Sequence, residues 1–206
     1  MTIAPGTEAV AAQATVADLW KRYTMALDDL SDRLRRITSA LRAANVPYAL
    51  VGGQAVALWV ATRDPAAVRT TKGIDVLLCR GELPLARAAA QAAEMDYFET
   101  MGDGMFLDRR DPNPRHTVHI VWAGELVRAG DTVAAPNIDD QTTLPGDHHV
   151  VSLPKLVEMK LTANREQDRL HLHDLIDVGL IERTMLAALP NELAPKLAAL
   201  LGEQGR

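Results

Sequence analysis

Val51-Gly52-Gly53-Gln54, followed after a polar stretch by Thr70-Thr71-Lys72-Gly73-Ile74-Asp75-Val76-Leu77, decides how this chain is read. Tyr48-Ala49-Leu50-Val51 is a short apolar run of strand type that ends at the diglycine. Gln54 to Ala61 then reads as a helix of small and apolar residues. Ile74 to Cys79 reads as a buried strand carrying one carboxylate, Asp75. Two adjacent glycines at a strand-to-helix turn let backbone approach a ligand closely. The helix N-terminus that follows offers unpaired N–H groups and a positive dipole end, which suit phosphate. A carboxylate inside an apolar strand is costly to bury without a partner. A metal ion, or a basic side chain such as Lys72 or Arg69, would supply one.

Outward from this stretch, residues 16–44 read as one long amphipathic helix or two abutting ones. Leu27, Leu30, Leu34, Ile37 and Leu41 recur there at spacings of three and four. Asn45-Val46-Pro47 ends it, because the residue before a proline leaves helical geometry. Residues 62–72 read as a loop. Leu83 to Met95 is an Ala-rich helix opened by Pro84. Tyr97 to Met101 and Met105 to Leu107 read as two strands around Gly102-Asp103-Gly104, and Thr117 to Trp122 as another. Residues 123–149 read as mostly irregular. A helical period then returns in Leu153-Leu156-Val157-Leu161 and Leu172-Leu175-Ile176, with a last helix over residues 191–202. The expected plan is an α/β (α+β) fold, a mixed sheet flanked by helices, with an N-terminal helix and a helical C-terminal part. The expected division is a flexible tail over 1–15, a core domain over 16–150 and a helical region over 151–206.

Composition narrows the function classes. The 206 residues, 48% apolar and 24% charged, exclude a disordered or fibrous chain. The net charge of −5 argues against sequence-independent coating of nucleic acid, which needs a strongly basic face. Cys79 is the single cysteine, so neither an intramolecular disulfide nor a four-thiolate zinc site can form, and a reducing, cytoplasmic compartment is the default. No stretch approaches the roughly 18 apolar residues of a membrane span, and residues 1–15 lack a basic leader followed by an apolar run. None of the six histidines shows the helical i, i+4 spacing of a zinc hydrolase.

These motifs in this order resemble the nucleotidyltransferase superfamily, whose fold is shared with DNA polymerase β. Within it the chain is similar to stand-alone bacterial members related to abortive-infection type toxins. The resemblance spans residues 46–180 and takes in two further stretches. One is Val150-Val151-Ser152-Leu153-Pro154-Lys155-Leu156-Val157-Glu158-Met159-Lys160-Leu161-Thr162-Ala163. The other is Arg165, Asp168 and His171-Leu172-His173-Asp174-Leu175. The resemblance implies metal-dependent transfer of a nucleotidyl group from a nucleoside triphosphate to an acceptor hydroxyl, on tRNA, a protein or a small molecule. It implies Mg²⁺ or Mn²⁺ as cofactor and, in a toxin–antitoxin setting, a partner protein. Carried over residue by residue, it assigns Asp75 and Lys160 to catalysis. It assigns Gly52, Gly53, Gln54, Thr71, Lys72, Arg165 and Asp168 to the nucleotide, and Asp75 and His119 to metal. Lys160 also stands out by position: it lies three and four residues after Val157 and Leu156, on the core-facing side of its helix. Its ammonium either snorkels to the rim or reaches a phosphate or Asp75.

The sequence departs from the family pattern in two places. Active members carry two carboxylates two apart on one strand and a third on a neighbouring strand, holding two Mg²⁺ ions. Here the first falls on Gly73, which has no side chain to offer, and the third on His119, whose nitrogen suits Mg²⁺ poorly. Within the subgroup a histidine at that third place is expected, which makes Gly73 the more damaging departure. Asp108 is the leading candidate to replace the lost ligand, then Glu125, with Asp103 a third. Two function classes follow: a nucleotidyltransferase, or a degenerate binding or regulatory protein such as an antitoxin built on the same fold.

Overall fold

The computed structural model describes residues 15–203. The tail expected over 1–15 therefore lies outside them, apart from Thr15. That residue caps the first helix, its hydroxyl accepting from the Asp18 backbone N–H while the Asp18 carboxylate accepts from the Thr15 N–H.

The helix α1 (Val16–Ala43) leads into β1 (Ala49–Val51), α2 (Gly52–Ala61) and β2 (Ile74–Leu78). Then follow α3 (Leu83–Ala92), β3 (Met95–Thr100), β4 (Asp103–Asp108) and β5 (Val118–Trp122). A hairpin of β6 (Gln141–Leu144) and β7 (His148–Val151) precedes α4 (Leu153–Ala163), α5 (Glu166–Asp177) and α6 (Ala194–Glu203). The seven strands form one mixed sheet in the order β3-β4-β5-β2-β1-β7-β6. β2 runs parallel to β5 and antiparallel to β1, and β1 runs parallel to β7. The expected α/β (α+β) plan is what the chain adopts.

Strand alternation builds two cores, one on each side of the sheet. Leu50, Val76, Leu78, Phe106, Val118, Ile120 and Val150 face α1 and α3. Ala49, Val51, Leu77 and Val151 face the opposite layer, which holds α2, α4, α5 and α6. Asp75 and His119 fall on the second parity, with Leu77, whereas Asp108 falls on the first, with Phe106.

That parity overturns the role expected of Asp108. It is 2% exposed and lies under α1, where Arg36 donates to its carboxylate and the Arg33 Nε stands 3.6 Å away. Arg36 also donates to the Ala93 carbonyl at 2.6 Å and to Asp32 at 2.7 Å. The carboxylate thus anchors the N-terminal helix to the end of β4. Glu125, the second candidate, is an exposed partner of Arg80 at 2.6 Å. The region read as irregular over 123–149 contains the β6–β7 hairpin. Its turn is Pro145-Gly146-Asp147, with Gly146 and Asp147 both at positive φ.

Asp108→Ala takes the buried acid away from both guanidinium groups, leaving Arg33 with Asp111 at the rim and Arg36 with Asp32 and the Ala93 carbonyl. Chemical denaturation should show a loss of about 3–5 kcal/mol, with ligand binding in the cleft described below unchanged once the variant is folded. A loss under about 1 kcal/mol would show that the cluster does not hold α1 in place.

Candidate functional site

The turn from β1 into α2 is built around the Asp75 side chain. Gly52 sits at φ +65°, and a Cβ there would stand 2.0 Å from Asp75 Oδ2. A Cβ on Gly53 would stand 2.4 Å from the Thr71 hydroxyl. The diglycine is needed because the chain's own Asp75 and Thr71 press against this backbone. No side chain caps the N-terminus of α2, so its first turn keeps unpaired N–H groups beside Asp75. Asp75 pairs in register with His119 of β5, and the two side chains share one face of the sheet.

The helices α4 and α5 close the other side. Lys160 is only 6% exposed and donates to Asp168 Oδ1 at 2.8 Å. Asp168, 1% exposed, also accepts from the Arg165 Nε at 2.6 Å. One buried carboxylate is thus shared by two cations, one from each helix end. Lys160 neither snorkels to the rim nor bonds to Asp75, although its charge is felt there. Arg165 and Asp168 are more than an exposed local pair, because the carboxylate is sealed from water.

These elements enclose a cleft of about 350 Å³. Gly52, Asp75, His119, Lys160, Arg165 and Asp168 all line it. So do Asp103 from the start of β4 and Arg128 and Asp131 from the loop after β5. Of the expected site residues, Gly53 and Gln54 are buried in α2 and Thr71 packs on Gly53, while Lys72 is exposed; none of these four lines the cleft. Arg69, a possible partner for Asp75, instead binds Asp174 at 2.6 Å. Among the acids weighed as replacements, Asp103 is the one that lies in the cleft. Arg128 and Asp131 sit on a loop without periodicity, so nothing in the sequence marked them.

The electrostatics separate the two buried acids. Burial raises the Asp75 pKa above the ordinary carboxylate value, and the charges of His119, Lys160 and Arg165 only partly offset this. Burial would raise Asp168 too, but the Arg165 and Lys160 hydrogen bonds and charges outweigh it and hold its pKa below the usual range. Of the two buried acids, Asp75 is therefore the readier to take up a proton, while Asp168 is held ionised.

A two-ion Mg²⁺ centre does not fit these donors. Gly73 contributes no side chain, and His119 offers nitrogen, already 3.1 Å from the Thr117 hydroxyl. Among the described residues no three His, Cys, Asp or Glu side chains converge closely enough to hold a metal ion. The space beside Gly73 is open: a Cβ there would meet nothing within 4 Å.

No family model and no curated protein matches the chain. Among solved structures it is similar to one of the antibiotic-resistance factor ANT(2'')-Ia in solution. The identity is 13%, the TM-score 0.50, and the match covers 86% of this chain and 93% of that one. A crystal structure of ANT(2'')-Ia in complex with adenylyl-2''-tobramycin aligns with 13% identity and a TM-score of 0.47, over 82% of this chain and 95% of that one. The likeness to the first shows a shared fold. Among the described residues no helix is long and apolar enough to cross a membrane.

Two outcomes follow from the cleft. A carboxyl whose pKa rises on folding lowers stability as pH climbs from the unfolded value, near 3.8, through the folded one. Asp75→Asn should therefore raise the melting temperature at neutral pH, with the gain vanishing below about pH 4; a gain that persists in acid would contradict the raised pKa. Gly73→Asp fills open space and puts two carboxylates on one strand face. The variant should lose thermal stability in chelator and regain it with Mn²⁺ or Mg²⁺, because a ligand of the folded state stabilises it. A metal response equal to the parent's would show that residue 73 does not face the cleft.

Proposed function

We propose that the cleft binds a nucleoside triphosphate and that the chain transfers its nucleotidyl group to an acceptor hydroxyl. The observation that carries this reading is the convergence of Asp75, Lys160, Arg165 and Asp168 on one cleft, at the uncapped start of α2, in a fold shared with a nucleotidyltransferase. The N–H groups of α2 and the cations Lys160, Arg165 and Arg128 are suited to phosphate oxygens. Four carboxylates, Asp75, Asp103, Asp131 and Asp168, line the same cleft against those three cations. A bare triphosphate would thus meet an excess of negative charge, and the magnesium complex of the nucleotide is the substrate form that suits the cleft.

In the proposed reaction the acceptor oxygen attacks the α-phosphorus and the bond to the bridging oxygen of pyrophosphate breaks. The hydroxyl proton passes to Asp75, whose burial makes it a better base than an exposed carboxylate. Pyrophosphate leaves against Arg165 and Lys160. Asp168 holds both cations in position without touching substrate.

Gly73 favours a second reading, in which the cleft binds nucleotide and transfers nothing. Incubation with each α-labelled nucleoside triphosphate, Mg²⁺ or Mn²⁺, and total tRNA or protein as acceptor separates the two. Transfer of label, abolished in Asp75→Asn and reduced about tenfold or more in Arg165→Ala, is the expected result. Binding without label transfer on any acceptor supports the second reading.

A further inference from the structure

The first half of α1 reaches beyond the body of the protein. Residues 15–26 are all exposed, and Leu30 is where the helix begins to pack on the core. The exposed part is not polar. Val16 is 71% exposed, Leu19 55%, Trp20 64% and Tyr23 49%, and Trp20 and Tyr23 contact each other edge-on with centroids 5.9 Å apart.

These residues continue a strict pattern. Val16, Trp20, Tyr23, Leu27, Leu30, Leu34, Ile37 and Leu41 are spaced alternately by four and three, the apolar repeat of a coiled-coil seam. The C-terminal half of that seam is already filled: Leu30, Leu34, Ile37 and Leu41 pack on the core under the sheet. The N-terminal half carries the same stripe with nothing on it among the described residues. A projecting helix of about fourteen residues is marginal alone in water, yet this one keeps a complete capping box at its far end.

Charge placement selects the occupant. Asp18, Lys21, Arg22, Asp28 and Asp29 all lie on the face opposite the seam. The positions flanking the exposed seam, where coiled coils carry the charges that choose a foreign partner, are Ala17, Leu19, Thr24 and Ala26. A matching surface must therefore be apolar in the middle and uncharged at its margins. A second copy of this helix offers that surface. We propose that the chain self-associates through residues 16–27 of α1, paired across a two-fold axis.

At about 150–250 Å² per ring, Trp20 and Tyr23 leave roughly 200 Å² of ring surface per protomer in water. Even with Val16, Leu19 and Leu27 added, this is small beside the roughly 800 Å² per partner of a standard interface. The dimer should therefore depend on concentration. Sedimentation velocity over about a hundredfold range of concentration reads this directly. The parent should shift from monomer towards dimer as concentration rises. Trp20→Glu, which removes only an exposed side chain, should weaken association by at least about tenfold, and Ala26→Glu, which adds charge at the margin without removing apolar surface, should weaken it as well. Met25→Glu, on the outward face, should leave it unchanged. A parent that stays monomeric throughout, a Trp20→Glu variant that associates like the parent, or a Met25→Glu variant as weak as Trp20→Glu would each overturn the proposal.

Discussion

The buried carboxylate of Asp168 is the constraint on which the rest of the cleft depends. It is removed from water, so it needs positive charge, and it takes this from Lys160 and Arg165 at once. That sharing ties the end of α4 to the start of α5, across the left-handed Asn164 that joins them. It also fixes a cation on the cleft wall whose side chain would otherwise be free. Removing one partner of such a buried cluster typically costs about 3–5 kcal/mol. The geometry that makes the helices meet is thus the geometry that aims charge into the cleft.

On the sheet side the organising rule is the period of two. Asp75 and Asp108 are both acids on strands, and both need a partner. Parity sends Asp75 to the face of α2, α4 and α5, where it meets the diglycine and two cations at a distance. Parity sends Asp108 to the face of α1, where Arg33 and Arg36 hold it. One carboxylate is left short of compensation and the other is closely paired. Gly52 makes the first arrangement possible, because any side chain there would collide with Asp75.

Much of this was legible in the sequence. The strand-diglycine-helix run and the inward face of Lys160 follow from local period, whereas the pairing of the strands of Asp75 and His119 is what the family resemblance implies. Nearness to a strand end favours Asp108 over Asp103, but parity decides which of them reaches the cleft. Counting in twos from Phe106, an obvious core residue, would have turned Asp108 away from the cleft. The β6–β7 hairpin has a turn signal in Leu144-Pro145-Gly146-Asp147, but its two four-residue strands carry too little alternation to be legible. Arg128 and Asp131 reach the cleft on an irregular loop, and no local pattern encodes where such a loop comes to rest.

The proposed nucleotide site is the cleft between the sheet and α4–α5, with Arg165 and Lys160 holding the phosphates. Calorimetric titration of the folded protein with ATP, GTP, CTP and UTP in the presence of Mg²⁺ tests it most directly. The account predicts that at least one nucleotide binds with a stoichiometry near one site per chain, and that Arg165→Ala weakens this binding by about tenfold or more. Binding of none of the four, or an affinity unchanged in Arg165→Ala, would contradict it.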